Sequence, residues 1–320
     1  MKSKSLIVKK LPKNAAFYAI IVFVAFFAIK ANNYFTLSNM INLLRQASVF
    51  AIITACLFLA VLTHQTDLSV GATASLSSVF MAMALNAGAS PFVAILVALV
   101  TGLAMGAFNG ILISRTTIAP FIITMSTMYI GESIGLIATK GITVPVTSST
   151  ILAVSKYEVF GVVPICVILM AAIFFGLWYL MRKRSFGTAL YAIGGNPEAA
   201  LATGINVKKC KFIIFVMNGV IASIGGIILA ARIGSANPSQ GIGLEFEGIC
   251  GAVLGGTALS GGRGSVGGAF LGALAIAVMK NGLNMLGLKT GYQMVVLGSI
   301  VLVILALDSL TNSVKGGRQN

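Results

Sequence analysis

The sequence predicts an all-α fold, a polytopic transmembrane helical bundle of about ten membrane segments, some of them broken or re-entrant. Composition is the first indication, since hydrophobic residues make up 58% and charged residues 9% of the chain, with a mean hydropathy of +0.99. Soluble domains contain about 45–50% apolar and about 25% charged residues. A surface so poor in charge needs lipid as its solvent, and the apolar residues are grouped in runs of membrane-spanning length.

The chain opens with a basic segment, residues 1–14, which we expect to form a cytoplasmic tail. Its lysines precede an apolar run and could mimic a signal peptide, but no small-residue cleavage site leads into a soluble domain. We therefore predict a transmembrane domain over 15–310 and a cytoplasmic C-terminal tail over 311–320.

Ten apolar runs approach the roughly 20 residues that a helix needs to cross the hydrocarbon core. They cover 15–30, 46–63, 69–87, 91–113, 117–139, 160–181, 210–231, 245–259, 264–284 and 291–309. The runs at 69–87, 245–259 and 264–284 are rich in Gly, Ser and Ala, so we expect interruptions there.

Basic residues predict the orientation, because Lys and Arg collect in the cytoplasmic loops of membrane proteins. With the N-terminus inside, fifteen of the 22 basic residues are cytoplasmic and seven are not. Both termini are then cytoplasmic. The same rule explains the net charge of +15 without a nucleic acid partner, since the basic residues flank apolar runs and form no single patch.

Small residues recur at helical spacing in several runs, as in Gly102, Gly106 and Gly110. Such faces let helix backbones approach closely in lipid, so we interpret them as packing surfaces. The four cysteines lie in or beside apolar runs and form no C-x-x-C pair, so neither a disulfide nor a metal site is predicted. The single histidine, His64, provides no metal site or proton relay by itself.

The polar stretch 182–209 is too hydrophilic to cross a membrane, and basic residues flank it, so we predict a cytoplasmic loop. Within it, Asn196 can cap a helix, Pro197 suits the first helical position, and Glu198 suits the first turn. Gly204 is a plausible stop. The sequence therefore predicts a short helix on the inner face, which either docks on a partner or merely connects two spans.

These residues carry a resemblance to a known family. Glu198-Ala199-Ala200 with Gly204 four residues on resembles the EAA…G signature of ABC importer permeases, and GTALYAIGGNPEAALATGINVKK is similar to the monosaccharide (ribose/xylose/galactose-type) branch. Three further blocks resemble the same branch: DLSVG at 67–71, APFIITMSTM at 119–128 and VLGGTALSGGRGSVGGAFLGAL at 253–274. The resemblance covers roughly 35–310.

The resemblance implies the permease subunit of an ATP-driven, binding-protein-dependent monosaccharide importer in the bacterial plasma (inner) membrane. A cytoplasmic ABC ATPase, a periplasmic or lipid-anchored sugar-binding protein and a second permease copy or sister permease are the expected partners, with membrane lipid around them. The chain itself is expected to bind no cofactor, since ATP belongs to the partner. The expected ATPase-coupling helix comprises Asn196, Pro197, Glu198, Ala199, Ala200 and Gly204.

Candidate residues for the translocation path are Asp67, Ser69, Gly71, Asn109, Glu132 and Thr257. Charges at membrane depth are costly and usually face the bundle interior or a cavity. Asp67 can alternatively cap the backbone of Ser69 or Val70, and Glu132, where the family has a small or basic residue, can alternatively pair with a basic neighbour. Two more acids, Glu245 and Glu247, are expected near the outer face, either meeting a binding protein or simply solvated.

Enzymatic chemistry is not predicted. No G-x-x-x-x-G-K-[ST] phosphate loop is present, and Asp67 and Asp308 are the only aspartates, so paired Mg²⁺ ligands are missing. The alternative function is an ion-gradient-driven secondary transporter of a small polar solute, for which only Glu132 is a clear embedded carboxylate. The sequence names neither the sugar nor the choice between homodimer and heterodimer.

Overall fold

A computed structural model describes residues 15–300 and 302. The predicted tail at 1–14 and the C-terminal tail at 311–320 lie outside these residues. The first five helices are α1 (Ala15–Lys30), α2 (Leu37–Leu62), α3 (Val70–Asn86), α4 (Pro91–Arg115) and α5 (Pro120–Thr139). They are followed by α6 (Ser149–Lys156), α7 (Ile165–Lys183), α8 (Ser185–Gly195), α9 (Pro197–Ala202), α10 (Val207–Ile233), α11 (Leu244–Leu254) and α12 (Val266–Met285). A further helix, α13, runs over 290–300.

The expectation of an all-α chain needs a small correction, because four two-residue strands form two antiparallel pairs. Strand β1 (Val144–Pro145) pairs with β4 (Ser235–Ala236), and β2 (Glu158–Val159) pairs with β3 (Val163–Pro164). The first pair joins the segment between α5 and α6 to the segment between α10 and α11, and the second pair is a hairpin between α6 and α7. Short polar stretches with Gly and Pro gave no strand pattern in the sequence.

Within the described part of the chain, six helices are long and apolar enough to cross a membrane: α2, α4, α5, α7, α10 and α12. Helices α1 and α3 are apolar but shorter. The prediction of about ten crossings is therefore not confirmed by helix length. The run at 245–259 differs most, since it forms an 11-residue helix, α11, whose length of about 16 Å is too short to cross the hydrocarbon core alone.

Helix α2 lies at the centre of the bundle and is 89% buried over its most apolar window. It begins at Leu37, earlier than the predicted start at 46. Polar residues in its first turns made this region look like a loop, but they are paired inside the protein. Asn39 and Asn281 of α12 exchange two amide hydrogen bonds, of 3.2 and 2.9 Å, and Asn39 Nδ2 also donates to the Tyr34 carbonyl oxygen at 2.7 Å.

The glycine face of α4 packs directly on α10, as the small-residue pattern predicted. A Cβ at Gly102 would overlap the Gly219 carbonyl oxygen, and a Cβ at Gly106 would overlap that of Phe215. Helix backbones can approach so closely only where no side chain intervenes. This contact fixes α4 against the core of the bundle.

Two helices are each preceded by a non-helical segment packed inside the protein. Residues 65–68 lead into α3, and residues 237–243 lead into α11. The two helix beginnings meet, because Gly71 and Gly241 touch through their backbones and a Cβ on either would overlap the carbonyl oxygen of the other. The interruptions expected at 69–87 and 245–259 therefore lie before these helices.

Candidate coupling surface and translocation path

The predicted short helix on the polar loop is present as α9. Asn196 caps it, since its side-chain oxygen accepts from the backbone N–H of Glu198 at 2.9 Å and of Ala199 at 3.0 Å. Pro197 occupies the first helical position. Gly204 follows the helix with φ +86°, a conformation that favours glycine. All of α9 is exposed except Ala200, which packs into the core.

The rest of the polar loop is more ordered than the sequence suggested, because residues 185–195 form α8. Polar residues and glycines hid this helix, whose apolar side chains Leu190 and Ile193 are fully buried. The loop predicted at 182–209 thus consists of the end of α7, two helices and the start of α10.

Helix α8 is fixed against the end of α2 and the loop that follows α11. A Cβ at Gly194 would overlap the Leu62 carbonyl oxygen, which itself accepts from the backbone N–H of Gly262 at 2.8 Å. The Tyr191 hydroxyl donates to the Gly264 carbonyl oxygen at 3.0 Å. Burial raises the pKa of the Tyr191 phenol, which keeps this donor protonated. Helix α8 therefore contacts both the end of α2 and the α11–α12 connection, next to α9 in the chain.

A cleft of about 560 Å³ lies beside α9, between the end of α4 and the start of α10. Glu198 and Leu201 form one wall, and Lys208 and Lys211 line it from α10. Leu201 is 64% exposed. An exposed helix with an adjoining cleft that mixes apolar and charged groups has the character of a protein-docking surface.

Three of the six predicted path residues form one buried cluster. Asp67 Oδ1 accepts from the Ser69 backbone N–H at 3.1 Å and from the Ser69 hydroxyl at 2.6 Å. Asn109 Nδ2 donates to the Ser69 hydroxyl at 2.8 Å, and Asn218 Nδ2 donates to Asp67 Oδ2 at 3.0 Å. The capping alternative for Asp67 is thus confirmed at Ser69. All four residues are at most 3% exposed, so the cluster is sealed in this conformation.

Asn218 was missed by the sequence analysis, although a signal exists. The dipeptide Asn-Gly occurs at 109–110, 218–219 and 281–282, each time within an apolar run. A lone amide in such a run has to find a partner inside the protein. Each of the three asparagines does so through another polar side chain.

Gly71 and Glu132 lie along the segment 237–243, apart from the Asp67 cluster. Gly71 contacts Gly241, whose backbone N–H donates to the Ser75 hydroxyl at 2.7 Å. Glu132 Oε1 accepts from the Ser239 hydroxyl at 3.3 Å. The alternative in which Glu132 pairs with a basic neighbour is not observed among residues 15–300 and 302, where the two ion pairs found involve other acids.

The remaining path candidate, Thr257, lies in the loop after α11. It is 1% exposed, and Gly264 packs against its side chain. The structure therefore divides the six candidates among three places.

The acids Glu245 and Glu247 are not on a solvated surface. Glu245 is 2% exposed, and its Oε1 accepts from the Gly243 backbone N–H at 3.0 Å. Glu247 pairs with Lys280 at 2.6 Å. Both belong to α11, which packs against α2 and α12, and the sequence pattern did not show which side of this helix those two helices cover.

No group of three or more His, Cys, Asp and Glu side chains that could hold a metal ion occurs in the described part of the chain. The ring Nδ1 of His64 hydrogen-bonds to the Leu259 carbonyl oxygen at 3.0 Å. His64 therefore contacts the loop after α11.

Comparison with known proteins decides the family. A family model described as "Branched-chain amino acid transport system / permease component" matches residues 39–305. The chain belongs to this permease family. The permease is 35% identical over 296 residues to the ribose import permease protein RbsC of Escherichia coli K12, covering 91% of this chain and 92% of that protein. No solved structure matches the permease.

Two further relatives are similar. The permease is 38% identical over 276 residues to the ribose import permease protein of Bacillus subtilis, covering 84% of both chains. It is 36% identical over 300 residues to the D-allose transport system permease protein AlsC of Escherichia coli K12, covering 93% of this chain and 92% of that protein. The resemblance to ABC importer permeases is confirmed. The chain is a multi-pass inner-membrane transport subunit that works with a separate ATPase and a substrate-binding protein.

Proposed function

We propose that this chain is the permease subunit of an ATP-driven monosaccharide importer, in which α9 couples ATP hydrolysis on a partner to opening of the path. The observation that carries the proposal is that α9 is exposed, capped at Asn196 and connected through α8 to the end of α2. The similarity to ribose and allose permeases supports a monosaccharide as the solute.

We further infer ten crossings with both termini in the cytoplasm. They comprise the six long helices, α1, the apolar run predicted at 291–309, and two composite crossings in which 63–69 precedes α3 and 237–243 precedes α11. The turns of 237–243 pack inside the protein ahead of α11, which supports a composite crossing there. The proposed inner side then holds 63–66, α8, α9 and 256–265, and the outer side holds both strand pairs.

The mechanism follows from this connection. When the ATPase subunits close, α9 moves with the partner, and α8 transmits the displacement to α2 and to the loop between α11 and α12. The backbones of Gly71, at the start of α3, and Gly241, before α11, touch, and their separation opens the path. The permease acts with a second copy or a sister subunit, so the path runs between two such chains.

The test compares two glycines with nearly the same backbone conformation. Gly204 beside α9 has φ +86° and Gly88, between α3 and α4, has φ +89°. A valine at either position is strained by about 1–2 kcal/mol. We expect G204V to abolish ATP-dependent uptake of labelled ribose, allose and xylose in vesicles with co-expressed ATPase and binding protein, and G88V to leave it intact.

A charge reversal, E198K, should have the same effect as G204V, because Glu198 lines the cleft beside α9. Pull-down of the ATPase by the permease measures the contact separately from transport. Uptake that needs no ATPase and collapses with an ionophore would contradict the proposal and support the ion-gradient alternative. Equal uptake by the two glycine variants would contradict the role of α9.

A further inference from the structure

The exposed side of α5 carries two stripes of different chemistry. The isoleucine stripe consists of Ile130, Ile134 and Ile137, which are 51%, 40% and 78% exposed. The polar stripe consists of Ser126, Tyr129 and Ser133, all exposed. Both follow helical spacing and lie side by side, with the polar stripe on the edge nearer Glu132 and the isoleucine stripe on the opposite edge.

The polar stripe lies at the middle of the crossing. Helix α5 has 20 residues and is about 30 Å long, and Tyr129 lies about 14 Å from its beginning. The Ser126 hydroxyl donates to the Ile122 carbonyl oxygen at 2.8 Å. Within residues 15–300 and 302, no such partner is found for the hydroxyls of Tyr129 and Ser133. Polar groups at this depth face a protein interior or a water-filled cavity.

Glu132 adjoins the polar stripe, one helical turn after Tyr129, and is half-buried. Its carboxylate contacts the Ser239 hydroxyl, which the segment 237–243 brings to α5. The same segment packs Pro238 against Gly135, with no room for a larger side chain at that position. A carboxylate, three serine hydroxyls and the ring and hydroxyl of a tyrosine are thus held on one wall by two elements.

We propose that the polar stripe, with Glu132 and Ser239, is the wall of the translocation path that the sugar touches. The proposal rests on the function proposed above and identifies its solute-contacting residues. The Tyr129 ring offers a flat apolar surface to the C–H face of a sugar ring. The carboxylate and hydroxyls exchange hydrogen bonds with sugar hydroxyls, and the isoleucine stripe faces lipid.

The wall also carries a negative charge. Glu132 is its only charged group, so the wall attracts cations and repels anions. It therefore favours neutral monosaccharides over sugar acids and sugar phosphates. A second copy of the permease faces this wall and completes the path, because one chain leaves it open on the side away from α3.

Cysteine accessibility tests the wall without knowledge of the sugar or of the energy source. Single cysteines replace Tyr129, Ser133, Ile130 and Ile134 in the full-length chain in its membrane, and react with a water-soluble methanethiosulfonate. The native cysteines are buried, which keeps background reaction low. We expect Y129C and S133C to react at least several-fold faster than I130C and I134C, which have comparable exposure. Equal rates, or faster reaction of the isoleucine positions, would overturn the proposal.

The negative charge of the wall is tested with a cationic and an anionic thiol reagent. Y129C should react several-fold faster with the trimethylammonium-ethyl reagent than with the sulfonatoethyl reagent, after correction for their rates with a free thiol, and E132Q should abolish the difference. A preference that survives E132Q would refute the assignment of the charge. If uptake proves independent of an ATPase, the proposed energy source is wrong. The labelling results would still test whether the polar stripe lines a water-filled path.

Sugar contact itself is tested in the assembled transporter. With ribose, allose and xylose as probes, Y129A should lower the maximal uptake rate several-fold while permease-stimulated ATP hydrolysis continues, whereas I130A should change neither. Loss of both activities in Y129A and I130A alike would show a structural effect and refute the contact.

Discussion

Replacing Asn218 by alanine removes one of the three hydrogen bonds that the buried Asp67 carboxyl accepts. The other two, from the N–H and hydroxyl of Ser69, go to Oδ1, so the variant leaves Oδ2 without a donor. Leaving a buried acceptor without a donor costs about 1–3 kcal/mol. Since the site is at most 3% exposed, water cannot readily replace the amide, and N218A should lower the free energy of unfolding by this amount.

Asn109 provides the matched control. Its amide donates to the Ser69 hydroxyl and not to the carboxyl. Neutral interhelical hydrogen bonds in membrane proteins average about 0.6 kcal/mol. N109A should therefore cost clearly less than N218A, although both variants remove an equally buried asparagine side chain of the same size.

The assay is reversible unfolding in mixed micelles with increasing SDS, followed by the fluorescence of Trp178. A double-mutant cycle adds D67N, which replaces the carboxyl group that accepts the hydrogen bond from Asn218. N218A should cost less in the D67N background than in the wild type, because the two residues share one interaction. Additive costs, or equal costs for N109A and N218A, would refute the argument that Asp67 is the centre of the cluster.

Two further predictions concern packing and the α8 contact. Gly106→Leu should abolish folding, because even a Cβ there overlaps the Phe215 carbonyl oxygen. Gly176→Leu should be tolerated, because the space around Gly176 is open. The yield of folded protein after detergent extraction measures both effects. Y191F should lose about 0.5–1.5 kcal/mol of stability with its bond to Gly264. The folded-state pKa of Tyr191 is raised, so the stability difference between wild type and Y191F should stay constant below the ordinary pKa of 10.0 and shrink above it. Unfolding at several pH values measures this difference. A difference that grows with pH would contradict the prediction.

The long helices could be predicted from apolar run length, and their ends were found within a few residues for α4, α5, α10 and α12. The start of α2 could not be predicted in this way, because Asn39 is compatible with a membrane helix only when it is hydrogen-bonded to Asn281 of α12. A sequence shows the amide but not its partner, which lies 242 residues away.

The candidate site was predicted unevenly. The capped helix α9 follows from local chemistry, since the Asn196 side chain satisfies N–H groups two and three residues ahead. Asp67, Ser69 and Asn109 were predicted as path residues, but neither their contact with one another nor their fourth partner, Asn218, was predicted. Helix α8 was missed because glycines weakened its helical pattern. Glu245 and Glu247 were placed on the surface because the burial of α11 depends on its packing against α2 and α12.

The sequence by itself determined that the chain is a membrane protein, where most of its apolar runs lie, and that a short capped helix interrupts the polar loop. Those features follow from composition and from interactions within a few residues. Only the tertiary structure decided which buried polar groups hydrogen-bond to one another and how the segments before α3 and α11 pack. It also decided which side of α5 is left exposed. These depend on contacts between distant elements, and in lipid such contacts are selected by close packing and hydrogen bonding, which a pattern of hydrophobicity does not record.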